Sequence, residues 1–112
     1  MKRLRSAVAI FVLSTWAACG SASDIDGKKV YEQWCAACHA PGDAYAGTMA
    51  LDARYKGTLP ASLEERSDLS PEMVEYFVRN GVSIMPFFRK VEISDGELDA
   101  LAAYLAKSMS EK

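Results

Sequence analysis

The clearest periodicity lies near the C-terminal end of the 112-residue chain, where Leu98, Leu101, Ala102 and Leu105 recur at i, i+3, i+4 and i+7 with Tyr104 beside them. That spacing puts apolar side chains on one face of a helix. Ser94-Asp95-Gly96-Glu97 opens it, with hydroxyl and carboxylate three positions apart, as a reciprocal cap requires. A second helix is marked at both ends: Ser70 is its N-cap, Pro71 its first turn, Glu72 the acid at the positive end of the dipole, and Asn80-Gly81 its stop. Met73, Val74, Phe77 and Val78 are its expected buried stripe, which reads Met73 as a core residue.

Upstream, the pattern predicts a first helix over about 25–37, capped by Asp24 or Asp26. Gly27, Tyr31 and Cys35 share one face at i, i+4 and i+8, and Val30, Trp34 and Cys38 share the adjoining one. Gly27 weakens a helix, and close approach by another helix would account for it. Ala40-Pro41-Gly42-Asp43 reads as a turn. From there to Pro60 the chain is rich in Gly, Ala and Thr and keeps no period, so an irregular loop is expected. A short helix is expected over 60–66, because Pro60 suits a first-turn position. No stretch sustains strand-like alternation. The pattern predicts an all-α protein of three to four helices.

The N-terminal pattern is of another kind. Lys2, Arg3 and Arg5 precede an apolar run over 7–18 and a small-residue zone, Gly20-Ser21-Ala22-Ser23, the layout of a secretory signal. The run is too short to span a bilayer comfortably. A cut after Ser23 divides the chain into a signal segment, 1–23, and one domain, 24–112, exported to the periplasm. The competing reading is a lipid anchor on Cys19, against which stands the bulky Trp16 before it. Removing Lys2, Arg3 and Arg5 from the 13 basic residues leaves 10 against 15 acidic ones. Such a balance argues against nucleic acid and is compatible with a partner presenting a basic patch.

A domain this short buries a modest core and often depends on a disulfide, metal or cofactor. Only Cys35 and Cys38 remain after the cut, in the run Cys35-Ala36-Ala37-Cys38-His39. C-x-x-C-H is the attachment signature of a covalent c-type haem. The thiols, three positions apart, lie on one side of a helical turn, where each can add across one porphyrin vinyl group. His39, the only histidine, then supplies an imidazole to the iron. A redox dithiol or half a zinc site are the plainer readings of C-x-x-C. Zinc lacks further ligands here, and the helical context does not suit a thioredoxin-type dithiol.

Gly81-Val82-Ser83-Ile84-Met85-Pro86-Phe87-Phe88 links the two C-terminal helices. Met85 is the candidate sixth ligand: a soft thioether, stiffened by Pro86, with Ile84, Phe87 and Phe88 expected to make a dry wall. Met49 is the rival, Met73 is better explained as core, and Met109 lies near a fraying end. Tyr45, Arg54, Tyr55 and Lys56 are polar groups that could meet haem propionates.

With these residues in place the chain resembles a small class I cytochrome c over essentially all of 24–112. Gly27 and Tyr31 before the C-x-x-C-H run, then Met85-Pro86, then Leu101 and Tyr104 carry the resemblance. It implies one covalent haem c with His39 and Met85 as axial ligands, first and last helices crossing through Gly27, and a haem edge exposed for electron exchange. It also implies an electron carrier rather than an enzyme. The family often places a Gly-Pro loop after the haem motif to orient the histidine; here the stretch reads Gly47-Thr48-Met49-Ala50-Leu51, and a carbonyl near Thr48 is the expected substitute. Arg79-Asn80-Gly81 running into Ile84-Met85-Pro86-Phe87 is similar to the cytochrome subunit of flavocytochromes that oxidise para-alkylphenols, of the 4-cresol dehydrogenase and eugenol hydroxylase type. That likeness implies a flavoprotein dehydrogenase as electron donor. The alternatives are a free-standing periplasmic shuttle, a ligand-binding or peroxidase-like haem protein if Met85 is not on the iron, and a thiol–disulfide oxidoreductase using Cys35 and Cys38.

Overall fold

The computed structural model describes residues 24–110, with side chains through Ala106; the signal segment, Cys19 and the Met109 side chain lie outside the described residues. Five helices follow in order: α1 Gly27–Trp34, α2 Ala36–His39, α3 Ala46–Tyr55, α4 Pro71–Asn80 and α5 Asp95–Ser110, with a 3₁₀ turn, Leu63–Glu65, between α3 and α4. Among the described residues there is no strand, only an isolated antiparallel bridge between Val82 and Met85. The fold is all-α, as the resemblance to class I cytochromes c implies.

The core sits where α5 packs against α1 on one side and α4 on the other. Val30 and Tyr31 of α1, Val74 and Val78 of α4, and Leu98, Leu101, Ala102 and Leu105 of α5 are buried in it, closed by Leu69 and Ile93 from the connecting segments. Gly27 lets α1 and α5 touch. A Cβ there would stand 2.0 Å from the Ala100 carbonyl oxygen and 2.8 Å from Tyr104 Cβ, so the close approach read from the sequence is present. Tyr31 and Tyr104 meet beside it at a tilt of 45°, ring centroids 6.0 Å apart.

The helix ends follow local chemistry. Asp26 caps α1, its carboxylate accepting from the Lys28 N–H at 3.0 Å. The Ser70 hydroxyl accepts from the Met73 N–H, and Gly81, at φ 68°, ends α4. At α5 the box is complete: Glu97 accepts from the Ser94 N–H at 2.8 Å while the Glu97 N–H donates to the Ser94 hydroxyl.

Four expectations need correction. The first helix is shorter than 25–37: it stops at Trp34, Cys35 takes φ −110°, and α2 restarts through the motif. The stretch before Pro60 is no irregular loop but contains α3, ten residues long. It has no apolar stripe to reveal it, and Thr48 is its one buried residue; its Ala-rich composition favours a helix, and the left-handed Lys56 (φ 49°) ends it. The helix expected over 60–66 shrinks to Leu63–Glu65, because Arg66 turns extended to meet Asp68 and the Tyr55 ring. Met73 is exposed, not core: it lies on the outer side of the first turn of α4, while Val74 and Val78 carry the buried stripe.

Candidate haem-binding site

Cys35, Cys38 and His39 come together on one turn. Both the Cys38 and the His39 N–H donate to the Cys35 carbonyl, at 3.0 and 2.9 Å, so a single backbone oxygen gathers all three. Cys35 packs against the core and Cys38 is exposed. Burial, with a smaller contribution from Cys38, pushes the Cys35 thiol up to about 11. A dithiol oxidoreductase needs the opposite, an activated thiolate.

His39 is held from two sides. The Tyr31 hydroxyl donates to its carbonyl at 2.8 Å, fixing the backbone from the core. On the other side lies Gly47, where a Cβ would stand 2.8 Å from His39 Nδ1, 2.7 Å from Cε1 and 2.7 Å from the Cys38 carbonyl oxygen. Only a glycine lets α3 lie against the imidazole. Burial holds the ring pKa below its ordinary value, which favours the neutral form a metal takes. The carbonyl expected near Thr48 does not orient the ring: Nδ1 is buried without a hydrogen-bond partner, and the Thr48 hydroxyl instead donates to the Ala40 carbonyl at 2.8 Å. Thr48 thereby ties α3 to the residue just after His39 and acts on the backbone, not on the imidazole.

Met85 is half-buried in the segment between α4 and α5. It and Val82 exchange backbone hydrogen bonds of 2.9 and 3.1 Å, forming a tight turn around Ser83 at φ 53°. The turn presses on Gly81, where a Cβ would meet the Met85 carbonyl oxygen at 2.6 Å. Of the residues expected to wall the haem, Ile84 and Phe87 are exposed, and Phe88 packs edge-on against Trp34 at 5.9 Å. Through that pair the Met85 segment touches the residue next to Cys35. Met49 lies elsewhere, exposed on α3 along a groove with Pro41, Asp52, Ser62 and Glu65.

The donor set suits a haem better than a bare ion. Among the described residues no group of three or more His, Cys, Asp or Glu side chains could hold a metal. Two thiols, an imidazole backed by a glycine and a thioether are the chemistry a covalently attached, axially ligated haem requires. Of the four residues considered for propionates, Arg54 and Lys56 are exposed and Tyr45 and Tyr55 half-buried. The sequence reading missed Arg66, which is buried, forks onto Asp68 through Nε and Nη2 and lies over the Tyr55 ring at 4.7 Å. It also missed Arg79, whose bonds reach Phe88, Ile93 and Asp95.

A family model described as cytochrome C oxidase, cbb3-type, subunit III, matches residues 22–105. The chain belongs to the cytochrome c family. This cytochrome is 38% identical over 111 residues to a cytochrome c6 of Picosynechococcus sp., covering 95% of this chain and 93% of the relative. A cytochrome c6 of Synechococcus sp. is 32% identical over 107 residues, covering 94% and 89%. As a class I cytochrome c the protein is an electron carrier with a covalently bound haem c, not an enzyme. It must therefore meet a redox partner. No helix among the described residues is long and apolar enough to cross a membrane.

Proposed function

We propose that Cys35 and Cys38 hold the haem through thioether bonds, that His39 and Met85 are its axial ligands, and that the cytochrome relays single electrons in the periplasm after loss of residues 1–23. The observation that carries the reading is the gathering of both thiols and the imidazole around the Cys35 carbonyl, with the Met85 segment tied to the same place through Trp34 and Phe88. When bound, the haem iron supplies a one-electron couple. The protein's part is to keep that couple's surroundings constant. Tyr31 and Gly47 fix His39 from opposite sides, the Val82–Met85 turn presents the thioether, and neither needs to move when charge changes. A neutral sulfur donor favours the reduced state and raises the potential.

Two kinds of donor are each favoured by one observation. The run from Arg79-Asn80-Gly81 into Met85-Pro86 favours a flavoprotein dehydrogenase that oxidises para-alkylphenols. The relatives, matched along 93% and 89% of their own length, are proteins of this chain's size, which favours a free-standing shuttle. Stopped-flow reduction by a para-alkylphenol-reduced flavoprotein, with gel filtration of the mixture, separates them. Fast reduction within a stable complex supports the flavoprotein; slow, purely collisional reduction supports the shuttle. The ligand assignment is tested by the sulfur-to-iron charge-transfer band at the red end of the ferric spectrum, which Met85→Ala should abolish. A band that survives assigns the sulfur elsewhere.

A further inference from the structure

Arg79 ends α4, where a cation ordinarily does no more than complement the helix dipole. Here its guanidinium reaches out of the helix. Nη1 donates to the carbonyl of Phe88 at 3.1 Å and to that of Ile93 at 2.9 Å, and Nη2 donates to Asp95 Oδ1 at 2.9 Å. One side chain thus joins the end of α4, both ends of the 88–93 segment and the start of α5. Asp95 also receives Lys90 at 2.7 Å, so the carboxylate is shared between two cations. The Arg79 side chain is 21% exposed, which shields its bonds from water.

Met85 lies just upstream of that segment, on the same link between α4 and α5. The Val82–Met85 turn closes on itself, and what fastens its downstream side to α4 is the Phe88 N–H donating to the Val78 carbonyl at 2.7 Å, with Arg79 gripping the carbonyl of the same Phe88. Phe88 is therefore bonded to α4 at both ends of its backbone, while its ring rests on Trp34. Loosening either backbone bond frees the strap that ends three residues after the sulfur.

We propose that Arg79 is a positioning residue: by clamping the Phe88 and Ile93 carbonyls it sets where the Met85 sulfur stands against the haem. The inference rests on the reading of Met85 as the axial ligand. Arginine is needed for its planar fork of donors, which serves two carbonyls and a carboxylate together; a lysine ammonium is a point charge that cannot span them.

The test uses holoprotein with Arg79→Lys, Arg79→Gln and Asp95→Asn, and Met85→Ala as reference. Arg79→Gln is the milder change, since its amide still reaches one carbonyl. Both Arg79 variants should keep covalent haem and helix content, weaken the sulfur-to-iron band and lower the potential. CO binding to the ferrous protein should accelerate by at least about tenfold in each, because at least one charge-assisted carbonyl bond is lost at no less than about tenfold. Asp95→Asn leaves both carbonyl bonds and should change the rate by no more than about fivefold, the ceiling for an exposed ion pair. If Met85→Ala loses the band but band, potential and CO rate in both Arg79 variants match wild type, Arg79 does not position the sulfur and the ligand reading stands. A band that survives Met85→Ala overturns the ligand reading and this inference with it.

Discussion

Gly47→Ala tests the contact between α3 and the imidazole with a single methyl group. That methyl would lie 2.7 Å from His39 Cε1, 2.8 Å from Nδ1 and 2.7 Å from the Cys38 carbonyl oxygen, all well inside van der Waals contact. The ring is hindered from swinging clear, because its Nδ1 is buried and its backbone is pinned by the Tyr31 hydroxyl. The Cys38 carbonyl is backbone and cannot rotate away. Relief must come from tilting the imidazole or lifting α3, which would strain the Thr48 bond to Ala40. Overpacking of this kind costs about 1–3 kcal/mol. Replacing glycine by alanine near the start of a helix returns up to about 1 kcal/mol. With the full return the net loss is up to about 2 kcal/mol, or up to about 16 °C in melting temperature for a domain of this size. Thermal melts of the holoprotein read that loss, and the potential and ferric spectrum read the tilt. Gly96→Ala is the control: its Cβ meets only the flexible end of Ile25, at 3.2 Å, and should be neutral or stabilising by about 0.4–1 kcal/mol. If Gly47→Ala stabilises as much as Gly96→Ala and leaves the spectrum untouched, α3 does not lie against His39.

Other perturbations give distinct signatures. Gly27→Ala places a methyl 2.0 Å from the Ala100 carbonyl oxygen and should cost about 3 kcal/mol by forcing α1 from α5; an unchanged denaturant midpoint would refute that crossing. Replacing Cys35 or Cys38 by Ala should lose one thioether and leave poorly matured protein, and haem that resists acid-acetone extraction from the double variant would disprove the attachment. Met85→Gln should keep the haem but lower the potential, as potentiometric titration will show. The hydrogen bond from Arg66 holds the Asp68 carboxyl below the usual carboxylate range. Its ionised form is thus favoured in the fold, and the stability it adds is present above about pH 4 and lost as pH falls through the depressed value. Asp68→Asn should flatten the acid limb of a melting-temperature profile; superimposable limbs would show that the pair does not matter.

What could be read from the sequence was local or chemically unambiguous. Ser70, and Ser94 with Glu97, announce helix starts because the cap is made within three residues of itself. Gly27 was legible because a glycine in a patterned helix demands a neighbour that needs the space. The C-x-x-C-H run was legible because few chemistries use that spacing. By contrast, α3 is held by Thr48 on Ala40 and by Gly47 against His39, contacts that leave no apolar period. Met73 sits at the edge of its stripe, and a stripe's width does not say which edge faces solvent. The partners of Arg79 could not be read, since they lie nine, fourteen and sixteen positions away. Ile84 and Phe87 look like wall residues by composition; where a linking segment turns its side chains is decided by the helices it joins.

The packing of α1 on α5 also orders events in time. Val30 and Tyr31 find their buried partners on α5, far downstream in the chain, so α1 has little to fold against until α5 has been made. Nearest-neighbour contacts do not repay the closing of so long a loop before then. Cys35, which ends packed against that core, consequently stays on an open chain until α5 arrives. On the proposal that haem is joined to both thiols, that interval is the opportunity for the joining, because arrival of α5 packs Cys35 against the core while leaving Cys38 outside. A variant that hastens the docking of α5 would then gain stability and lose haem, a trade-off imposed by the order in which the chain is made.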